Sequence, residues 1–143
     1  MSQQKIRNLT TLVALRNTEV ERLQTEMAEK ANVRERYQKN LERLTSLYTN
    51  SGASGNLHPA LAGNCGDYKQ AVMAMADSHR LDLHMHEADM AVSQQALNKA
   101  WAKREVMDMV LTKEQKVYNQ QQTVKERKQH DELATQVWLR SQK

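Results

Sequence analysis

Residues 50–67, NSGASGNLHPALAGNCGD, hold all four glycines of the chain, Gly52, Gly55, Gly63 and Gly66. They also hold its only proline, Pro59, and its only cysteine, Cys65. Glycine and proline interrupt helices, so gathering them in one stretch leaves the sequence on either side free to run as unbroken helix. The reading is one hairpin over residues 1–143: a helix over about 4–48, a loop over about 49–66 and a helix over about 67–140. Asp67 is placed to cap the start of the second helix.

Composition points the same way. The 143 residues contain no Phe, two Trp and four Tyr, and much of the 39% apolar content is Ala and Met. A compact core needs more bulk than this. The abundant residues, Gln, Glu, Lys, Arg, Ala, Leu and Met, are strong helix formers. Long helices that bury narrow stripes are the expected outcome.

The first segment keeps a seven-residue repeat. Its a positions are Ile6, Val13, Val20, Met27, Arg34, Leu41 and Tyr48; its d positions are Leu9, Arg16, Leu23, Lys30, Tyr37 and Leu44. Ten of these thirteen are apolar, which is the mark of a coiled coil. The second segment carries a more interrupted stripe, with a positions from Lys69 through Ala76, Leu83, Met90, Leu97, Arg104 and Leu111 to Tyr118. Its d positions run from Val72 through His79, His86, Ser93, Ala100 and Met107 to Glu114. Folding the chain back at the loop pairs Ile6 with Leu111, Val20 with Leu97, Met27 with Met90 and Leu44 with Val72. One register, with paired numbers summing to 116 or 117, satisfies both stripes. The fold class is therefore all-α: a long antiparallel two-helix coiled-coil hairpin with a C-terminal helix overhang. At about 1.5 Å per residue the first helix is roughly 68 Å long and the second roughly 110 Å. The second thus outruns the first beyond about Glu114.

The same register brings polar breaks together near mid-hairpin. Lys30 and Arg34 come opposite His86 and Leu83, with Asp82, His79 and Asp89 nearby. Lys30, Arg34, Asp82 and His86 form the expected register-fixing polar layer, with Asp89 as a further partner for the two basic groups. Asp82, His86 and Asp89 also share a helical face at spacings that can bind zinc. The cationic residues expected opposite argue against that use, and no metal or other cofactor is expected. A second apolar line, Leu81, Met85, Ala88 and Val92, then Val106, Val110, Val117 and Val124, runs on the far side of the second helix.

Net charge is +4, unevenly spread: +3 over residues 1–48, −2 over 67–112 and +3 over 113–143. Both termini, and so the open end of the hairpin, are basic, with Lys5, Arg7, Lys113 and Lys116. The densest basic run, KERK, contains a glutamate and has no interleaved aromatics, so nucleic acid is not an expected partner. No phosphate-binding loop, nucleophile elbow or H-E-x-x-H motif occurs, and a two-helix hairpin offers no concave pocket, so no enzymatic activity is expected. The N-terminus lacks the features of a signal peptide, and no apolar run approaches the ~18 residues of a membrane span. A lone cysteine excludes an internal disulfide and gives no zinc cluster. The expected location is cytosolic or peripheral to a membrane. Trp138, with Leu133, Val137 and Leu139, makes the unpaired C-terminal segment a candidate binding element.

Leu9, Leu12, Glu19–Val20, Leu23, Met27, Gln38, Leu41, Leu44 and Tyr48 resemble the first helix of the flagellar FliJ proteins. Tyr68 with QAVMAM, and ALNKAW with Trp101 and the following KRE, resemble the second. The likeness covers nearly the whole chain; Ala71 departs from it, where the family often has a larger apolar residue. The injectisome YscO-like proteins share this pattern, and an unrelated helical-hairpin adaptor or holdase is the other alternative.

The resemblance implies a non-enzymatic cytoplasmic component of the flagellar type III export apparatus, at the inner face of the cell membrane. Its open end, with Lys5, Arg7, Lys113, Lys116 and Trp138, would enter and stimulate the hexameric export ATPase. Tyr37, Leu41, Leu44, Tyr48, Val72 and Met75 match the surface that would meet the membrane export gate protein. Substrate-specific export chaperones are the third implied partner.

Overall fold

A computed structural model describes residues 2–50 and 59–142. Two helices account for them, α1 (Ser2–Asn50) and α2 (Pro59–Ser141), and no strand occurs among the described residues. They pack side by side and antiparallel as a helical hairpin. Cα proximity divides the chain into two units, one of Met1–Glu21 with Lys99–Lys143 and one of Arg22–Asn98.

In the Arg22–Asn98 unit the buried residues are Val72, Ala76, Leu83 and Met90. Their spacing of four, seven and seven keeps one edge of α2 against α1, as a coiled-coil seam requires. The alternate positions His79, His86 and Ser93 are half-buried between them. On α1, Leu23, Met27, Lys30, Tyr37, Leu41 and Leu44 are half-buried. The register agrees with the pairing expected: Tyr37 meets His79, the Lys30 carbonyl meets His86, and Lys69 lies over Tyr48. Arg34 departs from the seven-residue template. It is exposed, while the neighbouring Val33 is half-buried. A long cationic side chain keeps its charge in water, and the small β-branched neighbour takes the inward place.

In the unit of Met1–Glu21 and Lys99–Lys143, Val20, Ala100 and Leu111 are buried, and Ile6, Leu9, Val13, Met107 and Tyr118 are half-buried. A salt bridge of 3.0 Å from Lys5 to Glu114 ties the two helices near the start of α1. From Asn119 to Gln142 every side chain is exposed, which is the overhang expected of the longer helix.

The boundaries near the glycine-rich stretch differ from expectation. α1 continues to Asn50 and α2 begins at Pro59, so residues 59–66, read as loop, are helical and Asp67 is inside the helix instead of capping it. Proline suits the first helical position, where its missing N–H has no partner to lose. Gly63 and Gly66 then sit on a helix surface with no atom within 4 Å of where a Cβ would be, so they weaken the helix without ending it. Residues 51–58, with Gly52 and Gly55, lie outside the described residues.

Candidate functional site

Three places on the hairpin concentrate interactions beyond simple packing. The first is the polar layer in the middle of the Arg22–Asn98 unit. The Lys30 ammonium, at a seam position, donates to Asp89 Oδ2 at 2.9 Å and to Ser93 Oγ at 2.5 Å. His86 Nε2 donates to the Lys30 carbonyl oxygen at 2.8 Å; a carbonyl only accepts, so this nitrogen carries the hydrogen. Asp89, Ser93 and His86 lie within two turns on one side of α2, so one lysine gathers them all. The hydrogen bond from Lys30, then its charge, hold the Asp89 carboxyl below its ordinary 3.8, with a smaller push the same way from His86. The Tyr37 ring stands between two imidazoles, 5.7 Å from His79 edge-on and 5.8 Å from His86 at a tilt.

The structure thus joins Lys30, His86 and Asp89. It adds Ser93, whose seam position was legible but whose bond was not. Arg34 and Asp82 are exposed, and no hydrogen bond or ion pair among the described residues joins either to the layer. Arg34 keeps its charge in water while Val33 takes the inward place, and Lys30 pairs with Asp89, one heptad beyond Asp82 on α2. No group of three or more His, Cys, Asp or Glu among the described residues is arranged to hold a metal ion.

The second place is the loop-proximal part of the same unit. Of the six residues expected to meet a partner there, Val72 is only 5% exposed, and Tyr37, Leu41 and Leu44 are half-buried in the seam. Tyr48 and Met75 are exposed. Leu47, Tyr68 and Met73 are also open to solvent in this unit, and the sequence reading did not count them in the partner surface. Lys69 Nζ lies 5.4 Å from the Tyr48 ring centroid, a cation–π contact that orients this ring. Exposed methionines and tyrosines make an adaptable apolar surface.

The third place is the open end, in the other unit. Lys5, Arg7, Lys113 and Lys116 are exposed, and Lys5 is engaged by Glu114. Trp138 is 59% exposed, with Leu133, Val137 and Leu139 also open to solvent. Trp101, by contrast, is stacked by Arg104, whose guanidinium carbon lies 4.4 Å from the ring centroid.

No helix of the described residues is long and apolar enough to cross a membrane. The two long helices thus form a helical hairpin; one unit carries the exposed stretch of α2 from Asn119 to Gln142, and the other carries the open apolar residues Leu47, Tyr48, Tyr68, Met73 and Met75. Residues 4–143 match the family model described as Flagellar FliJ protein, and the chain belongs to that family. Membership makes it a component of flagellar type III protein export. No curated protein and no solved structure gives a match.

Proposed function

We propose that this chain is a stalk-like, non-enzymatic part of the export apparatus that enters the ring of the export ATPase and stimulates it. The observation that carries this reading is the extension of α2, in which every side chain from Asn119 to Gln142 is exposed. A single helix of this kind is marginal in water and gains order from a partner. At about 100° per residue, Val124, Trp138 and Leu139 fall on one side of the extension, and Leu133 and Val137 on the opposite side. Apolar groups on two opposite sides suit a site that encloses the helix, as a ring pore does, better than a flat surface that covers one face. The basic residues Lys5, Arg7, Lys113 and Lys116 at the neck would meet acidic groups at the pore mouth. An asymmetric shaft in a ring biases the states of the subunits through differential contacts.

The exposed Tyr48, Tyr68, Met73 and Met75 support a further contact, with the membrane export gate protein, beside the loop. Through both ends the chain would couple ATPase and gate at the cytoplasmic face of the membrane and handle export chaperones there. The test is a titration of the purified protein into the cognate export ATPase. Saturable stimulation, lost when residues 119–143 are removed while the paired part stays helical, supports the reading. Stimulation that survives the truncation removes the extension from the mechanism.

A further inference from the structure

In the unit of Met1–Glu21 and Lys99–Lys143 the two flanks of the coiled coil differ in chemistry. The acidic residues of α2 between Lys99 and Lys116 sit on one flank or in the seam: Glu105 and Asp108 flank it beside Trp101, and Glu114 is a seam position held by Lys5. The opposite flank, at the positions just before each a residue and just before each d residue, reads Lys99, Lys103, Val106, Val110, Lys113 and Val117. It contains no acid. Val106 is 58% exposed, and Val110 and Val117 are 38% and 40% exposed.

In an antiparallel pair like positions flank each other across the seam. The residues of α1 on this same side are therefore Lys5, Asn8, Leu12, Leu15 and Glu19, of which the apolar two, Leu12 and Leu15, are 40% and 60% exposed. The one acid of α1 on this side within the unit, Glu19, is bound by Arg16 at 3.2 Å. Lys99, Lys103 and Lys113 form no ion pair or hydrogen bond with any described residue. An apolar trough between two helices is thus edged by three uncommitted ammonium groups. β-branched residues are poor choices for a solvated helix face, so a row of valines here asks for a covering partner.

We propose that this flank is a docking groove for an amphipathic helix of another protein, one whose apolar stripe is bordered by Asp or Glu. Such a helix would lie along the seam as a third strand. It would place aliphatic side chains on Leu12, Val110 and Val117, and carboxylates on Lys99, Lys103 and Lys113. From Lys99 to Val117 the groove is roughly 27 Å long, so it takes about five turns of helix. A second copy of the chain is a poorer fit, because this same face repels itself by charge. The groove shares Lys113 with the neck proposed to meet the ATPase, but the substitutions that test it, Val110→Glu and Lys103→Glu, lie outside both the neck residues and the extension, so either proposal can fail alone.

The probe is a fluorescein-labelled synthetic helix of about 20 residues, with leucines in a stripe and glutamates on both borders. A counterpart has lysine for every glutamate. The acidic helix binds the full chain saturably, more weakly as salt rises, and the basic one does not. Val110→Glu and Lys103→Glu each weaken binding at least about tenfold, and Leu81→Glu, in the other unit, leaves it unchanged. Lys103→Glu alters only an exposed position, so it decides the matter if Val110→Glu disturbs folding. Equal binding of the two peptides, no binding of the acidic one, or indifference to Lys103→Glu overturns the proposal. So does a dimer in sedimentation that Val110→Glu dissociates, which would make the occupant a second copy. Capture by phosphatidylserine vesicles in place of the peptide would make it a lipid surface.

Discussion

The Lys30 ammonium lies 2.9 Å from the Asp89 carboxylate and reaches it from a seam position, with 28% of the lysine side chain exposed against 58% of the aspartate. The lysine supplies the buried stem and the aspartate supplies the solvated end. Such a pair adds little to stability, because the charges remain in contact with water. Its value is in selection, since a one-heptad slide of Lys30 toward the C-terminus of α2 would set the ammonium against Ala96 and Ala100, with no carboxylate in the place of Asp89. Lys30→Met should therefore leave the thermal midpoint unchanged or raise it, while relaxing the alignment. Spin labels placed on exposed positions of both helices within Arg22–Asn98 should give one distance in the parent and a broadened or split distribution in Lys30→Met. A single unchanged distance would remove the register role from this layer.

The same pair sets a pH dependence with a definite sign. Asp89 titrates below its ordinary 3.8 when folded, so the unfolded chain binds the proton more readily. Stability from this group is present above 3.8 and is lost as pH falls through the lower folded value. Between about pH 5 and pH 2 the denaturation midpoint of the parent should fall more steeply than that of Asp89→Asn. The two curves should converge at the acidic end. Parallel curves would mean that Lys30 does not hold the carboxylate in solution.

Two leucines two residues apart test how narrow the seam is. Leu83 is 8% exposed and Leu81 is 61% exposed, because successive steps of about 100° carry one into the seam and the other out of it. Leu83→Ala should cost about 2–3 kcal/mol in chemical denaturation, from lost burial and the cavity left behind. Leu81→Ala should stay within about 0.5 kcal/mol of the parent.

The seam was legible because it depends on one physical quantity, the period of apolar residues. Every position of α2 expected in it, from Lys69 to Tyr118, is buried or half-buried. The misreadings come from features that period does not encode. Arg34 occupies a template position, but side-chain length let it escape to water. Ser93 is a template position too, but its bond depends on where Lys30 bends. Among the residues carried over by family likeness, Val72 lies in the seam, as its place in the repeat predicts, whereas Leu47 and Met73, one residue off the pattern, are open. The start of α2 was missed because two glycines were read as a stop. In a helix each weakens the structure only by about 1 kcal/mol, a deficit that the neighbouring helix formers offset.

That last point is itself testable. Gly63 and Gly66 have open space where a Cβ would go and show no left-handed backbone. Gly63→Ala and Gly66→Ala should each raise stability by about 0.5–1 kcal/mol and increase amide protection over residues 59–66. If either substitution destabilised the protein, the helical start at Pro59 would be wrong, and the stretch would be the loop that its composition suggests.

The two tryptophans separate the paired body of the hairpin from its extension. Trp101 is held by Arg104, while Trp138 is 59% exposed and its backbone carbonyl accepts from the Ser141 hydroxyl at 2.7 Å near the end of α2. With 5-fluorotryptophan in this chain alone, fluorine NMR should show two resonances, the Trp138 line sharp and near its solvent-exposed position. Addition of the export ATPase should shift or broaden the Trp138 line strongly and the Trp101 line much less. Trp138→Ala should lower stimulation of hydrolysis several-fold, the loss expected for truncating an aromatic anchor. Its thermal midpoint should stay at the parent value, because the side chain supports nothing in the free protein. A Trp138 line unmoved at saturating ATPase would place the contact elsewhere on the chain, whatever the effect on hydrolysis.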